Sequence, residues 1–167
     1  FTVTVNALPT LHSVTGGGTY CGVTGVPVGL GGSELGVNYQ LQLNAVNTGA
    51  PLAGTGAAIS FSNQTGAGTY TVVATNAITG CTANMTGSVN VATATAPVVN
   101  APTVTQPTIV TPTGTIVVNA TGGPTLEYSL NAGPYQLSNT FAGLAPGGSY
   151  NISVRLQNTS GCEVSYS

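Results

Sequence analysis

Short runs in which apolar residues alternate with small polar ones constrain this chain more than any other feature. They fall at residues 1–5, 39–43, 70–74, 88–91, 115–118, 126–130 and 150–154. A period of two sends successive side chains to opposite faces of an extended strand, so each run reads as a half-buried β-strand. Between the runs lie turn clusters: Gly16, Gly17 and Gly18; Gly31, Gly32 and Ser33; Gly66 and Gly68; Gly122, Gly123 and Pro124; Pro146, Gly147 and Gly148. Glycine adopts positive φ without steric cost, and proline fixes φ while removing a donor, so each cluster ends a strand. No stretch offers a helical apolar stripe with caps. The pattern predicts an all-β chain of sandwich or barrel type.

Length and internal repetition divide it. The 167 residues allow two small domains, and Pro97, Pro102 and Pro107 mark residues 97–107 as an extended connector. On either side the same device recurs: Tyr70 precedes Gly80 and Cys81, and Tyr150 precedes Gly161 and Cys162. Both tyrosines follow a glycine-rich corner, as in the tyrosine corner of Greek-key sandwiches, where the hydroxyl bonds back to the backbone. After Cys81 the sequence continues into a final alternating strand, whereas five residues follow Cys162. The second domain is therefore expected to lack its last strand. Writing the chain's start after its end restores that strand, so Phe1, Thr2, Val3, Thr4, Val5 and Asn6 are expected to complete a neighbouring domain, because sheets avoid open edges. The predicted organisation is a completing strand at 1–6, a sandwich at 7–96, a linker at 97–107 and a shorter sandwich at 108–167.

Charge excludes several functions. Only 2% of the chain is charged, against about 25% in ordinary globular proteins; the ionised side chains are Glu34, Glu127, Glu163 and Arg155. Without lysine there is no footprint for nucleic acid or anionic membranes, and no amine for lysine-asparagine isopeptide staples. Without aspartate the usual calcium loops lack their main ligand. No apolar run is long enough to insert directly in a membrane, and Phe1 does not begin a cleavable signal, so a mature or internal segment is expected.

Candidate chemistry is sparse. His12 is the one histidine; with no aspartate and no nucleophile-elbow motif around any serine, no catalytic residue is assigned. One histidine without partners completes no zinc site, so no metal or cofactor is expected, and His12 reads as an exposed lead-in residue. Glu34, Glu127 and Glu163 read as surface solvation. The glycine clusters precede neither Lys-Ser/Thr nor a helix pattern and are turns rather than phosphate cradles. Sequons at Asn63, Asn84, Asn119, Asn151 and Asn158 read as coincidence in a chain rich in Asn and Thr. Three cysteines without metal spacing point to an oxidising exterior. Cys21 and Cys81 are expected to pair within the first domain, closing a loop that contributes roughly 4 kcal/mol in the chain-entropy model. Cys162 is then a free thiol or an intermolecular link.

The residues from Gly16 to Cys21, Val26 to Leu30, Gly36 to Leu41, Gly68 to Asn76 and Gly80 to Asn84 resemble Ig-like repeats of giant Bacteroidetes surface proteins. Such proteins are commonly exported by type IX secretion. The second half, through Val104 to Thr108, Pro112 to Thr115, Glu127 to Leu130, Phe141 to Gly147 and Tyr150 to Val154, is similar to the SprB-type repeat named after a gliding-motility adhesin. The resemblance covers nearly the whole chain and implies two tandem Ig-like, Greek-key β-sandwiches. It also implies that the family's second-domain disulfide to Cys162 is lost, because Ile109 stands where the family usually has cysteine.

The expected function is a non-enzymatic structural module of an extracellular bacterial adhesin stalk or surface filament, whose partners are adjacent copies of the same repeat. One alternative is a pilin-like subunit polymerising by donor-strand exchange. Another is a glycan- or ice-binding module presenting Thr2 with Thr4 and Thr103 with Thr105; the lack of Trp weakens the glycan case.

Overall fold

Every alternating run within the described residues lies in or overlaps a strand of the computed structural model, which describes Phe1 and residues 5–166. The chain is all-β among those residues and divides into two units, Phe1–Thr93 and Ala94–Ser167.

In the first unit the strands are β1 (Val14–Gly16), β2 (Gly18–Tyr20), β3 (Val26–Leu30), β4 (Val37–Leu43), β5 (Val46–Asn47), β6 (Leu52–Ala53), β7 (Ile59–Gln64), β8 (Gly68–Asn76), β9 (Thr82–Asn84) and β10 (Val89–Thr93). One sheet runs β1-β3-β7; the other runs β2-β10-β8-β4-β5, with β6 on β4 and β9 on β8. Alternate residues of both sheets face inward. Val28 and Leu30 of β3 meet Tyr39 and Leu41 of β4, Tyr70 and Val72 of β8, and Val91 of β10 in one buried cluster. The two edges of the chain's first turn belong to different sheets: β1 pairs antiparallel with β3, whereas β2 pairs parallel with β10. The three consecutive glycines make that switch. Gly16, Gly17 and Gly18 have φ of 90°, 74° and 130°, and a Cβ on Gly16 would stand 2.1 Å from the Pro27 carbonyl oxygen. This strand order is that of an immunoglobulin-like Greek key, with a split first strand.

The second unit contains β11 (Val98–Thr105), β12 (Gly114–Thr121), β13 (Leu126–Leu130), β14 (Thr140–Leu144), β15 (Ile152–Leu156) and β16 (Glu163–Tyr166). Its sheets, β11-β12-β14 and β13-β15-β16, enclose Ile116, Val118, Tyr128, Ile152 and Val154. It repeats the scaffold in reduced form: two three-stranded sheets in the same order.

One expected boundary is corrected. Residues 97–107 are not a linker, because Val98–Thr105 is an edge strand laddered to β12. Its prolines are compatible with that place. Pro102 sits where the register shifts between Asn100 and Thr103, and Pro97 and Pro107 flank the strand, so the strand's ladder loses little from the missing amides. After Cys162, Glu163–Tyr166 form β16, which pairs antiparallel with β15 from Arg155 opposite Glu163 to Ile152 opposite Tyr166, and among the described residues no strand takes the place that β10 holds in the first unit. Of the expected completing strand, Thr2, Val3 and Thr4 lie outside the described residues. Phe1, Val5 and Asn6 are exposed and belong to no strand.

Candidate functional site

Both corner tyrosines bond as the repeat predicts. Tyr70, at the start of β8, donates its hydroxyl to the Gly66 carbonyl at 2.9 Å, and Tyr150, just before β15, donates to the Ala145 carbonyl at 2.9 Å. Each pins the glycine-rich loop to the strand that follows. Tyr70 is 1% exposed, and burial raises its pKa above 10.0 more than the Gly66 bond lowers it.

The ionised residues form two separate groups. On β13-β15-β16, Arg155 stands opposite Glu127 on one side and Glu163 on the other. Its Nε donates to Glu127 at 2.8 Å, its guanidinium lies 3.7 Å from the Tyr135 ring centroid, and Gln157 donates to Glu127 at 3.1 Å. Desolvation, followed by the Glu163 carboxylate, raises the Tyr135 pKa. Glu127, Arg155 and Glu163 thus form a row across three strands rather than scattered solvation, with an ion pair between Arg155 and Glu127; a surface pair of this kind contributes about 0–1 kcal/mol. In the first unit Glu34 accepts from the Thr10 hydroxyl and from the Thr10 amide, and those bonds, the hydroxyl first, hold its carboxyl below 4.5.

His12 is half-buried rather than exposed. Its amide donates to Met85 Sδ at 3.4 Å, its ring meets Tyr39 edge-on, and its carbonyl accepts from the Thr86 amide at 2.9 Å. Together with Thr10, it docks the lead-in segment onto the end of the first sandwich. Among the described residues no three His, Cys, Asp or Glu side chains gather as a metal site would require.

The expected Cys21–Cys81 bridge is overturned. Cys81 is a free, half-buried thiol, while Cys21 and Cys162 are disulfide-bonded. Cys162 is therefore not the unpaired thiol. Strand direction explains the first result. Cys21 follows Tyr20, which is level with Thr93, and β10 covers β8 only from Gly68 to Tyr70. Cys81 precedes Thr82, which faces Thr75 at the other end of β8. At about 3.3 Å per residue the two cysteines lie roughly 20 Å or more apart along the sheet, and bridging requires Cα atoms within about 7 Å. Sequence spacing carried no signal of which end of the strand each thiol occupies.

The two units differ most at one edge. On β8, β9 pairs the far end and β10 continues the ladder over Tyr70, Thr69 and Gly68. On β15, β16 matches β9, but among the described residues no strand pairs 148–150. Beside that edge lies a cavity of about 90 Å³ whose lining includes Val104, Ile116, Leu144, Gly148 and Tyr150.

No family model and no curated protein matches the chain. Among solved structures it is similar to the FN1-FN3 domains of chicken CNTN1, at 12% identity, with 98% of this chain and 68% of that chain covered and a TM-score of 0.43. A likeness of that size carries no functional argument; the class, tandem immunoglobulin-like β-sandwiches, rests on strand order.

Proposed function

We propose that this chain is a non-enzymatic structural repeat module of an extracellular bacterial adhesin stalk or surface filament. The observation that carries the reading is the duplication of one scaffold: the same two-sheet order and the same tyrosine-corner bond occur twice in sequence. The side chains best suited to chemistry are engaged in holding that scaffold. His12 and Glu34 dock the lead-in segment, Glu127 and Arg155 pair across strands, and Tyr70 and Tyr150 hold corners. Disulfide-bonded cysteines support an oxidising, extracellular compartment. Low charge leaves the surface to Thr, Asn, Ser and Gly, so lateral interactions of a filament respond little to salt.

The test is the denatured, reduced mass of the native protein from its source. Many multiples of 16.4 kDa, surviving boiling and reduction, support a covalent array of repeats. Collapse to a species near 16.4 kDa overturns the covalent stalk and favours the second reading, a subunit that polymerises by strand exchange, which is supported by the edge at 148–150 that no strand pairs among the described residues.

A further inference from the structure

We infer that the first unit carries a binding site for one ring of a neutral sugar, in the cleft between β7 and the segment that runs from β5 to β6. The inference goes beyond the repeat-module reading and does not depend on it.

Among the described residues β7 pairs with β3 alone, while β5 and β6 both pair with β4 of the other sheet. On this flank the sandwich is open, and a cavity of about 270 Å³ lies there. Its lining is of two kinds. Leu41, Leu52 and Phe61 supply an apolar side that is continuous with the core, since Leu41 belongs to the buried cluster and Phe61 packs against it. Thr48, Ser62 and Gln64 supply hydroxyl and amide groups, and no lining residue is ionisable.

The backbone of β7 is bent where it forms this wall. Pro27 faces Asn63 and Gly29 faces Ser60, which leaves Phe61 and Ser62 together opposite Val28. In that bulge Ser62 has a φ of 65°, and among the described residues it is the one non-glycine residue inside a strand with positive φ; the others stand in turns. Glycine would hold this φ without steric cost, so the serine keeps a hydroxyl at a strained position. Strain of this kind persists where neighbouring groups over-determine it, and bulges re-aim side chains beside binding sites. Here the Ser62 amide donates to Ser60 Oγ at 3.2 Å, and Gln64 Nε2 donates to the Phe61 carbonyl at 2.7 Å and the Ser62 carbonyl at 3.4 Å. Gln64 spends its nitrogen on these bonds and keeps Oε1 to accept. The facing wall is fixed in the same way: Gln40 Nε2 donates to the Thr48 carbonyl at 3.0 Å and the Gly49 carbonyl at 3.3 Å. Both walls are set before a ligand arrives.

The class of ligand follows from the lining. A cavity just below the range of about 300–1,000 Å³ that takes drug-sized molecules admits a single ring. With no ionisable residue in the lining, an ion would give up hydration without a charged partner. A wholly apolar ring would leave the polar wall without its hydrogen bonds. A sugar ring meets both demands, with C–H faces toward Phe61 and Leu52 and hydroxyls toward Thr48, Ser62 and Gln64. Phe61 supplies the aromatic platform in a chain without tryptophan.

The experiment titrates the full chain with the methyl glycosides of glucose, galactose, mannose and N-acetylglucosamine at millimolar concentration and follows amide chemical shifts. At least one glycoside should shift the amides of residues 48–50 and 60–64 saturably, whereas glucose 6-phosphate and cyclohexanol should not. S62G removes the hydroxyl and relieves the positive φ. It should weaken binding about tenfold, the worth of one well-placed hydrogen bond, while the melting temperature holds or rises. A50F, at an exposed position on the rim, should abolish the shifts and leave the β spectrum unchanged. No saturable shift with any of the four glycosides overturns the inference, as does binding that survives either variant. Cyclohexanol binding as tightly as the sugars overturns it too, because the cleft is then a general apolar gap. Each of these failures leaves the stalk reading standing, since that reading is carried by the duplicated scaffold.

Discussion

The Tyr70 hydroxyl donates to the Gly66 carbonyl across the corner that leads into β8, from a ring that is 1% exposed. Removing that hydroxyl with Y70F leaves the ring's packing intact and the carbonyl without its partner, at about 1 kcal/mol, or roughly 5 °C in the melting of a unit this size. Y150F, at a more exposed corner, should cost less. Amide exchange read separately in each unit checks both. The raised pKa of Tyr70 gives a further signature. Above pH 10.0 the unfolded phenol ionises while the folded one stays protonated, so the unfolded state binds fewer protons and stability falls as pH rises. Y70F should flatten that alkaline decline, and an unchanged slope would show that other tyrosines cause it.

Cys81 is the free thiol and Cys21 and Cys162 are disulfide-bonded, so alkylation of the native protein should add one label, and reduction in denaturant three. Peptide mapping places the first label. Label on Cys162 before reduction would restore the arrangement expected from sequence spacing. Because Cys81 is half-buried, its modification should be slower than that of a small thiol and should speed up in mild denaturant.

Much of the scaffold was legible because alternation reports directly on strands: residues 126–130 coincide with β13, and 39–43 and 70–74 lie within β4 and β8. The misses share a cause. Pro102 disguised β11 as a connector because sequence does not reveal that an edge strand with a bulge absorbs the missing donor there. Glu127, Arg155 and Glu163 looked scattered because their alignment depends on the register of three strands, and the cysteine pairing failed because it depends on strand direction. Even β7, whose Ile59 and Phe61 alternate, is interrupted by Ser62 at φ 65°. What the local pattern does not encode is which neighbour each strand acquires.

Glu34 reports on the lead-in segment. Its carboxyl is held below 4.5 by the hydroxyl and then the amide of Thr10, so the contribution is present above the unfolded-state pKa and lost as pH falls through the lower folded value. T10V removes the hydroxyl and keeps the shape. The Glu34 titration, followed by carboxyl carbon NMR, should move back toward 4.5, and amide protection around Thr10 should fall at neutral pH. An unmoved titration would mean the hydroxyl does not hold the carboxylate.

The glycine switch between the two sheets separates conformational cost from steric cost. Gly18 has a φ of 130° but open space where a Cβ would stand, whereas Gly16 combines a φ of 90° with a Cβ position 2.1 Å from the Pro27 carbonyl oxygen. G18A should therefore lose about 1–2 kcal/mol through backbone strain alone. G16A adds a clash with backbone that is itself laddered between β1 and β7, and should lose roughly 3 kcal/mol or more. Urea unfolding with an unchanged slope measures both as stability differences. If the two variants cost the same, the close approach of Gly16 to β3 does not set the switch, and positive φ by itself explains why three glycines stand in a row.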